Sequence, residues 1–345
     1  SYKPINTKFK SKILSYKTSN KFNQLFQTLY KNKFHKFEKL RKKLAILTII
    51  QMFFLFLTLY SFFSYSKLHY YNTKNSSELF TLIQIDEYEN SSFALEYKME
   101  KLTSLSFIFF IITLFCKWKL QNTYTKQYKS EIISEFVMLL NPNLTYQPTS
   151  TPTRIENVYR KANFDEIPFN NYYEDDYIEG FLDENTYIQL ADISAQYKSS
   201  TDKHKEELFK GIFAFTKSIK NINTSIKIKK DKLNIPNNTN LIKLDNQTFE
   251  KYFDVYSEDS ITTLRILSAD IMADLIDFYE KYKLEFEIIF KNDTIYLRFL
   301  TGNMFEPKIF NSSINKNTLF IYYSILEFVL ELTKKVNHVL NEIDI

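Results

Sequence analysis

A run of twenty uncharged residues, Leu44–Phe63, constrains the fold of this 345-residue chain more than any other feature of its sequence. An α-helix of that length rises about 30 Å, which matches the thickness of the hydrocarbon core of a bilayer. A buried core helix is the alternative, but uncharged runs of this length are rare in soluble proteins. A cleaved signal peptide is disfavoured because a 43-residue basic region precedes the run and no small-residue cleavage site follows it. The run therefore predicts a transmembrane helix.

A second apolar segment, Leu102–Cys116, is shorter, and as a helix it would rise only about 22 Å. Lys117 and Lys119 follow it, and both side chains are long enough to reach the membrane surface from a buried position. Trp118 between them suits the aromatic belt at a membrane interface. We expect a second membrane span here, with an interfacial or core helix as the alternative.

The charges on either side of the two segments predict their orientation. Residues 1–43 carry 13 Lys or Arg residues and one acidic residue, whereas residues 65–102 carry four Lys and six acidic residues. The positive-inside rule then places both termini in the cytoplasm and makes residues 65–101 the external loop of a transmembrane hairpin at 44–120. Abundant Lys, Asn, Ile, Phe and Tyr resemble an A/T-rich bacterial genome, so we expect a multi-pass protein of the bacterial cytoplasmic (inner) membrane.

The basic arm, residues 1–43, is predicted to be partly an amphipathic helix that starts near Thr18. Its apolar residues recur at helical spacing: Phe22, Leu25, Phe26, Leu29, Phe37 and Leu40. One interpretation places this helix on an anionic inner leaflet of the lipid bilayer, and the other packs it on the cytoplasmic body. We do not expect nucleic acid as a partner, because the basic residues are mostly Lys and directly abut a membrane span.

After the hairpin, residues 121–153 are expected to form a cytoplasmic helix and a proline-rich extended linker, and residues 154–345 an α+β domain with a mainly antiparallel sheet. A hairpin is predicted at Tyr177–Leu182 and Tyr187–Ile193, and another at Leu284–Phe290 and Thr294–Leu300 around Asn292-Asp293. Further strands are expected at Leu208–Phe215, Ser225–Ile228 and Phe249–Tyr256, with a loop at Lys230–Asn240. Helices are expected at Asp270–Lys283, capped by Ser268, and at Asn317–Ile343.

The sequence offers little chemistry. The three glycines (Gly180, Gly211 and Gly302) stand alone, whereas phosphate-binding loops need clustered glycines. A single cysteine, Cys116, excludes an internal disulfide framework and a multi-thiolate metal site. The four histidines are scattered. We therefore expect no catalytic residue, no cofactor, no metal site and no enzymatic activity.

Two acidic clusters are candidate sites. Glu174, Asp175, Asp176 and Glu179 could supply oxygen ligands to a hard cation, but a solvated strand edge is the favoured interpretation because acidic segments are usually solvated. The second cluster, around Asp259, is expected to cap the helix that follows it. An enzymatic interpretation would survive only if acidic residues from distant strands converge.

Several strings resemble, in order and spacing, a bacterial membrane-protein family catalogued as domain of unknown function 3137, over roughly residues 100–345. They are NPNLTYQP (Asn141–Pro148), DDYIEG (Asp175–Gly180), ELFKGIFAF (Glu207–Phe215), FEKYFDVYSED (Phe249–Asp259), LRILSADIM (Leu264–Met272), DTIYLRF (Asp293–Phe299) and GNMFEP (Gly302–Pro307). Ala269 departs from the family's proline. The resemblance implies a membrane-tethered cytoplasmic domain without established catalytic residues, and a LemA-type membrane protein as a candidate partner, with a homo-oligomer as the other candidate.

The candidate residues are therefore structural or interaction residues: Gly180, Gly211, Gly302, Trp118, Phe253, Tyr256 and Phe305. The glycines are expected at positive φ or at close backbone approaches. The leading hypothesis is a non-enzymatic inner-membrane scaffold or structural subunit of a larger assembly. The alternative is a membrane-anchored sensor or regulator that binds a small cytoplasmic ligand.

Overall fold

The computed structural model describes residues 20–78, 86–149, 153–165, 167–181, 184, 186–199, 205–230, 240–312 and 314–342. The chain divides into two compact units. The helical unit comprises Phe34–Lys126 and Pro307–Ser313. The domain unit comprises Ser1–Lys33, Gln127–Glu306 and Ile314–Ile345.

Two long helices build the helical unit: α1 (Asn20–Glu78) and α2 (Asp86–Tyr128). Both are long and apolar enough to cross a membrane, and only 17% and 11% of their most apolar 18-residue windows is buried. The helices pack antiparallel within this unit, where the Phe54 and Phe109 rings stack at 5.2 Å and Thr58 donates to Ser106 Oγ at 3.0 Å. A core helix of a soluble protein would instead be largely buried.

Most of residues 65–101, which the sequence predicts as an external loop, are helical, because α1 continues to Glu78 and α2 begins at Asp86. Residues 79–85 lie outside the described residues. No glycine or proline occurs between Ile5 and Asn141, so little in the local sequence interrupts either helix.

The start of α1 belongs to the domain unit and tests the two interpretations of the basic arm. Phe22, Leu25 and Leu29 are buried, and the Phe22 ring meets Phe320 and Tyr323 at 5.1 and 5.4 Å. These contacts agree with packing on the protein body. Residues 1–19 lie outside the described part of the chain.

Helical structure continues after α2 through a π-helical turn (Lys129–Ile133) into α3 (Ser134–Leu140). The extended linker predicted next is wrong for Leu144–Thr149, which forms strand β1 at the edge of the sheet. An edge position tolerates Pro148, because proline lacks the N–H needed inside a sheet.

The described residues form one seven-stranded sheet in the order β1-β2-β3-β4-β6-β5, with β7 also paired to β4. Every pair is antiparallel. The strands after β1 are β2 (Asn171–Phe181), β3 (Tyr187–Lys198), β4 (Lys205–Lys230), β5 (Leu241–Ile242), β6 (Phe253–Ser257) and β7 (Phe286–Phe299). The α+β class and the hairpin of β2 with β3 are confirmed.

The remaining helices are α4 (Glu156–Ala162), α5 (Gln247–Glu250), α6 (Ser260–Ile266), α7 (Ala269–Tyr282) and the long α8 (Lys316–Glu342). Both predicted caps are confirmed: Ser268 Oγ accepts from Ile271 N, and Asp259 Oδ1 accepts from Ile261 N and Thr262 N. Helix α7 starts directly at Ala269, so the missing proline leaves the helix start intact.

Three strand predictions need correction. Leu208–Phe215 and Ser225–Ile228 are parts of one long strand, β4. The start of Phe249–Tyr256 is the end of helix α5, which Asn246 caps, so the strand begins at Phe253. The second hairpin does not form, because β7 runs straight through Asn292 while it pairs with β4. Asn292 has a positive φ, which asparagine tolerates, and it lies opposite Ile222, where the register of the β4–β7 pairing shifts. Most of the predicted Lys230–Asn240 loop lies outside the described residues.

Candidate functional site

A bulge in β2 brings two consecutive acidic residues to one cation. Asp176 has a left-handed backbone (φ 53°), and the pairing with β3 shifts register between Asp175 and Ile178. Consecutive residues of a regular strand point to opposite faces, and a bulge lifts that restriction. Both carboxylates consequently contact the side chain of Lys129.

Lys129 lies in the π-helical turn, and its side chain is only 5% exposed. Its Nζ is 2.5 Å from Asp175 Oδ2, 2.8 Å from Asp176 Oδ2 and 2.8 Å from Glu306 Oε1. A lysine ammonium has three N–H donors, and three carboxylates surround this one. The Tyr146 hydroxyl from β1 donates to the other oxygen of Asp176.

The charged state of this cluster follows from burial and proximity. Burial disfavours the ammonium of Lys129, but the surrounding carboxylates outweigh it and raise its pKa. Burial raises the pKa of Asp176 to about 6, although Lys129 and the Tyr146 hydroxyl both act to lower it. Separating Lys129 from these carboxylates would leave buried charges without partners, which is strongly destabilising. The cluster therefore holds the π-helical turn against β2.

Asp192 in β3 is the cross-strand neighbour of Asp175 and is 8% exposed. Its Oδ2 accepts a hydrogen bond from Met304 N at 2.7 Å. Its Oδ1 is buried without a hydrogen-bond partner among the described residues. Burial is the main cause that raises the pKa of Asp192 to about 7, and the nearby charge of Asp176 adds to it.

These groups line a cleft of about 420 Å³. Its described lining consists of Tyr173, Glu174, Asp175, Asp176, Asp192, Ile193, Ser194, Gln196, Lys210, Asn303 and Glu306. Five of these side chains are acidic and one is a lysine, so the cleft is strongly negative. The acidic residues come from the neighbouring strands β2 and β3 and from the loop that carries Glu306.

Two of the candidate glycines shape the loop that carries Glu306. A Cβ at Gly211 would lie 2.0 Å from Phe299 O, so only glycine allows β4 to approach the end of β7 this closely. Gly302 has φ 65° and donates its N–H to Lys210 O at 3.2 Å. Thr301 Oγ1 accepts from Ile212 N at 3.2 Å. Together these contacts fix the path of the loop beside the cleft.

The other candidates lie around the site or away from it. Phe305 is buried beside the cluster, with its ring 6.3 Å from that of Tyr146. Gly180 in β2 lies where a Cβ would be 2.1 Å from Asn143 O. Phe253 packs on the Phe286 ring at 5.1 Å.

Two further candidates lie outside the cleft. Tyr256 is buried under the ammonium of Lys229, which is 4.5 Å from its ring centroid. Trp118 is in α2 of the helical unit and is 58% exposed.

The expectation of a solvated edge for the first acidic cluster is wrong for Asp176, which is buried against Lys129. It also fails for Glu179, whose carboxylate accepts hydrogen bonds from Tyr177 and Tyr187. The sequence interpretation missed Lys129, Asp192 and Glu306. A charge inside the apolar strand sequence YIQLADISA was a usable signal for Asp192, because an unpaired charge is rarely buried.

Residues 207–338 match the sequence model of a family described as "Protein of unknown function (DUF3137)". This match confirms the resemblance noted from the motifs, over a shorter range than the motifs cover. The crystal structure of the mycobacterial trehalose monomycolate transport factor A, TtfA, aligns with 63% of this chain and 93% of its own chain, at 10% sequence identity and a TM-score of 0.33. No curated protein matches the chain.

Proposed function

We propose that this protein is a non-enzymatic scaffold or structural subunit of a larger assembly at the bacterial inner membrane. Two membrane-spanning helices anchor it, and its α+β domain and long helices provide the interaction surfaces. Both termini lie in the cytoplasm. The lipid bilayer with its anionic inner leaflet is the first partner, and a LemA-type membrane protein or a second copy of the chain is the protein partner.

The observation that carries this proposal is the exposure of the apolar helices. Large apolar side chains such as Phe53, Phe56 and Phe63 are at least 60% exposed along α1, and Phe115 is equally exposed on α2. Exposed apolar surface on this scale is rare on soluble monomers and is stabilised by lipid or by protein partners. The carboxylates of Asp175 and Glu306 both pair with the ammonium of Lys129, which holds β2 and the loop of Glu306 to the π-helical turn.

Native molecular mass in mild detergent tests the assembly role. The full chain, extracted from its own membrane, is expected to elute above the mass of a monomer with its detergent belt, measured by light scattering. Cross-linking in intact membranes before extraction checks that the assembly precedes solubilisation. A monomer in both measurements would contradict the proposal.

Reporter fusions test the topology. A reporter that is active only outside the cytoplasm is expected to be active after residue 85 and inactive after residue 342. The reverse pattern is expected for a reporter active only in the cytoplasm. Cytoplasmic activity at residue 85 would contradict the transmembrane hairpin.

The alternative function is a membrane-anchored sensor or regulator. The cleft beside Asp192 favours it, because a concave site with convergent polar groups is the usual form of a small-molecule site. A thermal-shift screen tests this alternative. The protein used in the screen is the full chain with Lys129 unchanged. Stabilisation by a cytoplasmic metabolite would support the sensor, and no shift across nucleotides, lipids and metabolites would weaken it.

A further inference from the structure

The carboxylates around Lys129 have the spacing of a cation site. One oxygen each of Asp175, Asp176 and Glu306 lies within 4.8 Å of the other two. Calcium–oxygen distances are about 2.3–2.6 Å, so two ligands of one ion lie at most about 5 Å apart. The ammonium of Lys129 lies among these oxygens and is hydrogen-bonded to all three carboxylates. The chain thus supplies its own cation to a three-carboxylate site.

Asp192 is the independent observation that points to an external ligand. It lines the same cleft, is more than nine-tenths buried, and keeps Oδ1 without a hydrogen-bond partner among the described residues. A buried polar atom without a partner costs free energy, which a ligand in the cleft can recover. Asp192 lies opposite Asp175 across the β2–β3 pairing, so its carboxylate lines the cleft beside the three-carboxylate group.

The charges of the cluster do not balance. Lys129, together with Lys210 of the cleft lining, contributes two positive charges to a group in which Asp175, Asp176, Asp192 and Glu306 can contribute four negative charges. A hard divalent cation prefers carboxylate and amide oxygens, and Asn303 and Ser194 offer further oxygens in the same lining. Exchanging an ammonium for a divalent ion would bring the group closer to neutrality.

We propose that the cleft binds a hard divalent cation, Ca²⁺ or Mg²⁺, through Asp175, Asp176 and Glu306, with Asp192 beside them in the cleft wall, and that the Lys129 ammonium holds this position when the ion is absent. Ion and ammonium compete, so the wild-type chain binds the ion weakly. This inference replaces the expectation of no metal site drawn from the sequence. It goes beyond the scaffold role and does not depend on it.

The test is a titration of the full-length chain in detergent, stripped with EDTA and exchanged into chelator-free buffer. Calorimetry with CaCl₂ and separately with MgCl₂ tells the two ions apart, and luminescence of Tb³⁺, excited through neighbouring tyrosines, reports occupancy of the same site. We expect one ion per chain. The variant Lys129→Met, which removes the competing ammonium, is expected to bind at least tenfold more tightly.

Matched variants locate the site. Asp192→Asn and Glu306→Gln are expected to weaken binding at least tenfold, and Glu306 is partly exposed, so its substitution is compatible with folding. Lys335→Met removes a lysine that pairs with Asp274 away from the cleft and is expected to leave the affinity unchanged. It controls for the loss of a positive charge alone.

Three results would overturn the proposal: no binding of either ion at 10 mM by wild type and Lys129→Met, equal affinities in these two chains, or unchanged binding in Asp192→Asn. If Lys129→Met does not fold, as judged by circular dichroism, wild type, Asp192→Asn and Glu306→Gln decide the question. An unchanged affinity in both carboxylate variants would then place the ion elsewhere.

Discussion

The domain unit holds two clusters of charge, one around Arg298 and one around Lys129, and they differ in balance and access. Arg298 donates to Asp165 Oδ1 at 2.6 Å and to Glu287 Oε2 at 3.1 Å. Its guanidinium lies 4.6 Å from the Phe164 ring centroid. Lys129 has three carboxylate partners, of which Asp175 and Glu306 are about 40% exposed, and its cluster opens into the cleft.

The balance of charge separates a structural cluster from a candidate binding site. Around Arg298, the ammonium of Lys227 lies 4.0 Å from Glu287, so two cations face two carboxylates. Around Lys129, carboxylates outnumber the cation, and Asp192 Oδ1 has no hydrogen-bond partner in the part of the chain that the structure describes. A buried cluster in which positive and negative charges match stabilises the fold. A cluster with more carboxylates than cations, beside a cleft, can also bind a cationic ligand.

The largest expected effect is on Arg298. The variant Arg298→Met removes the cation that pairs with both Asp165 and Glu287, of which Glu287 keeps only Lys227, and should lower the free energy of unfolding by about 3–5 kcal/mol. Urea titration of the full chain, followed by circular dichroism, measures this loss. Lys335→Met serves as the exposed-lysine control, with an expected change below about 1 kcal/mol. If Arg298→Met lowers the free energy of unfolding no more than Lys335→Met does, the buried ion pairs of Arg298 stabilise the fold no more than a surface ion pair.

The next effect concerns β4, which carries Lys210 at the cleft and Phe213 opposite Arg298. Gly211→Ala forces a Cβ against Phe299 O and should lower the free energy of unfolding by about 3 kcal/mol. Because the clash lies at the start of the loop that carries Glu306, we expect Glu306 to lose its contact with Lys129 as well. Hydrogen exchange measured by mass spectrometry would detect faster exchange in residues 300–306. Unchanged exchange there would show that the loop is held independently of β4.

The pH dependence of stability tests the surplus of carboxylates. Asp192 has a folded pKa of about 7, above the value of about 3.9 in unfolded chains, so the folded state keeps a proton that the unfolded state has lost. Stability should therefore fall as pH rises from about 4 to 7, and the full penalty should be present above that range.

In EDTA at pH 8, Asp192→Asn should raise the free energy of unfolding by about 1–3 kcal/mol and flatten the slope between pH 5 and 8. Asp176 keeps a smaller slope of the same sign, because its pKa is raised to about 6. Urea titrations at half-unit pH steps provide the comparison. An Asp192→Asn profile parallel to that of wild type would contradict the burial of an ionisable Asp192.

The smallest expected losses of stability come from removing one tyrosine hydroxyl in each cluster. Tyr159 donates to Asp165 and accepts from Arg298, whereas the hydrogen bond of the Tyr146 hydroxyl among the described residues is the one that it donates to Asp176. Tyr159→Phe should therefore cost about 2 kcal/mol and Tyr146→Phe about 1 kcal/mol. Thermal unfolding of the two variants side by side measures the ratio. A larger loss for Tyr146→Phe would mean that Asp176 depends on this hydroxyl more than on Lys129.

Local sequence signals predicted much of the fold and little of the cleft. Ser268 and Asp259 were identified as caps because a cap acts on residues two or three positions away. The Lys129 cluster joins residues 46 positions apart, and no short-range pattern encodes that pairing. Asn292 was misread because a residue that suits a turn also suits an irregularity within a long strand.

The contact between Phe22 at the start of α1 and Phe320 in α8 has a consequence for biosynthesis. Nearly three hundred residues, including both apolar helices, are translated between these two rings. The domain unit therefore completes its packing only after α8 has left the ribosome, by which time both apolar helices have already emerged. Until then Phe22 lacks the rings of Phe320 and Tyr323 that cover it, and a chain that stops before residue 316 would keep this face of α1 uncovered.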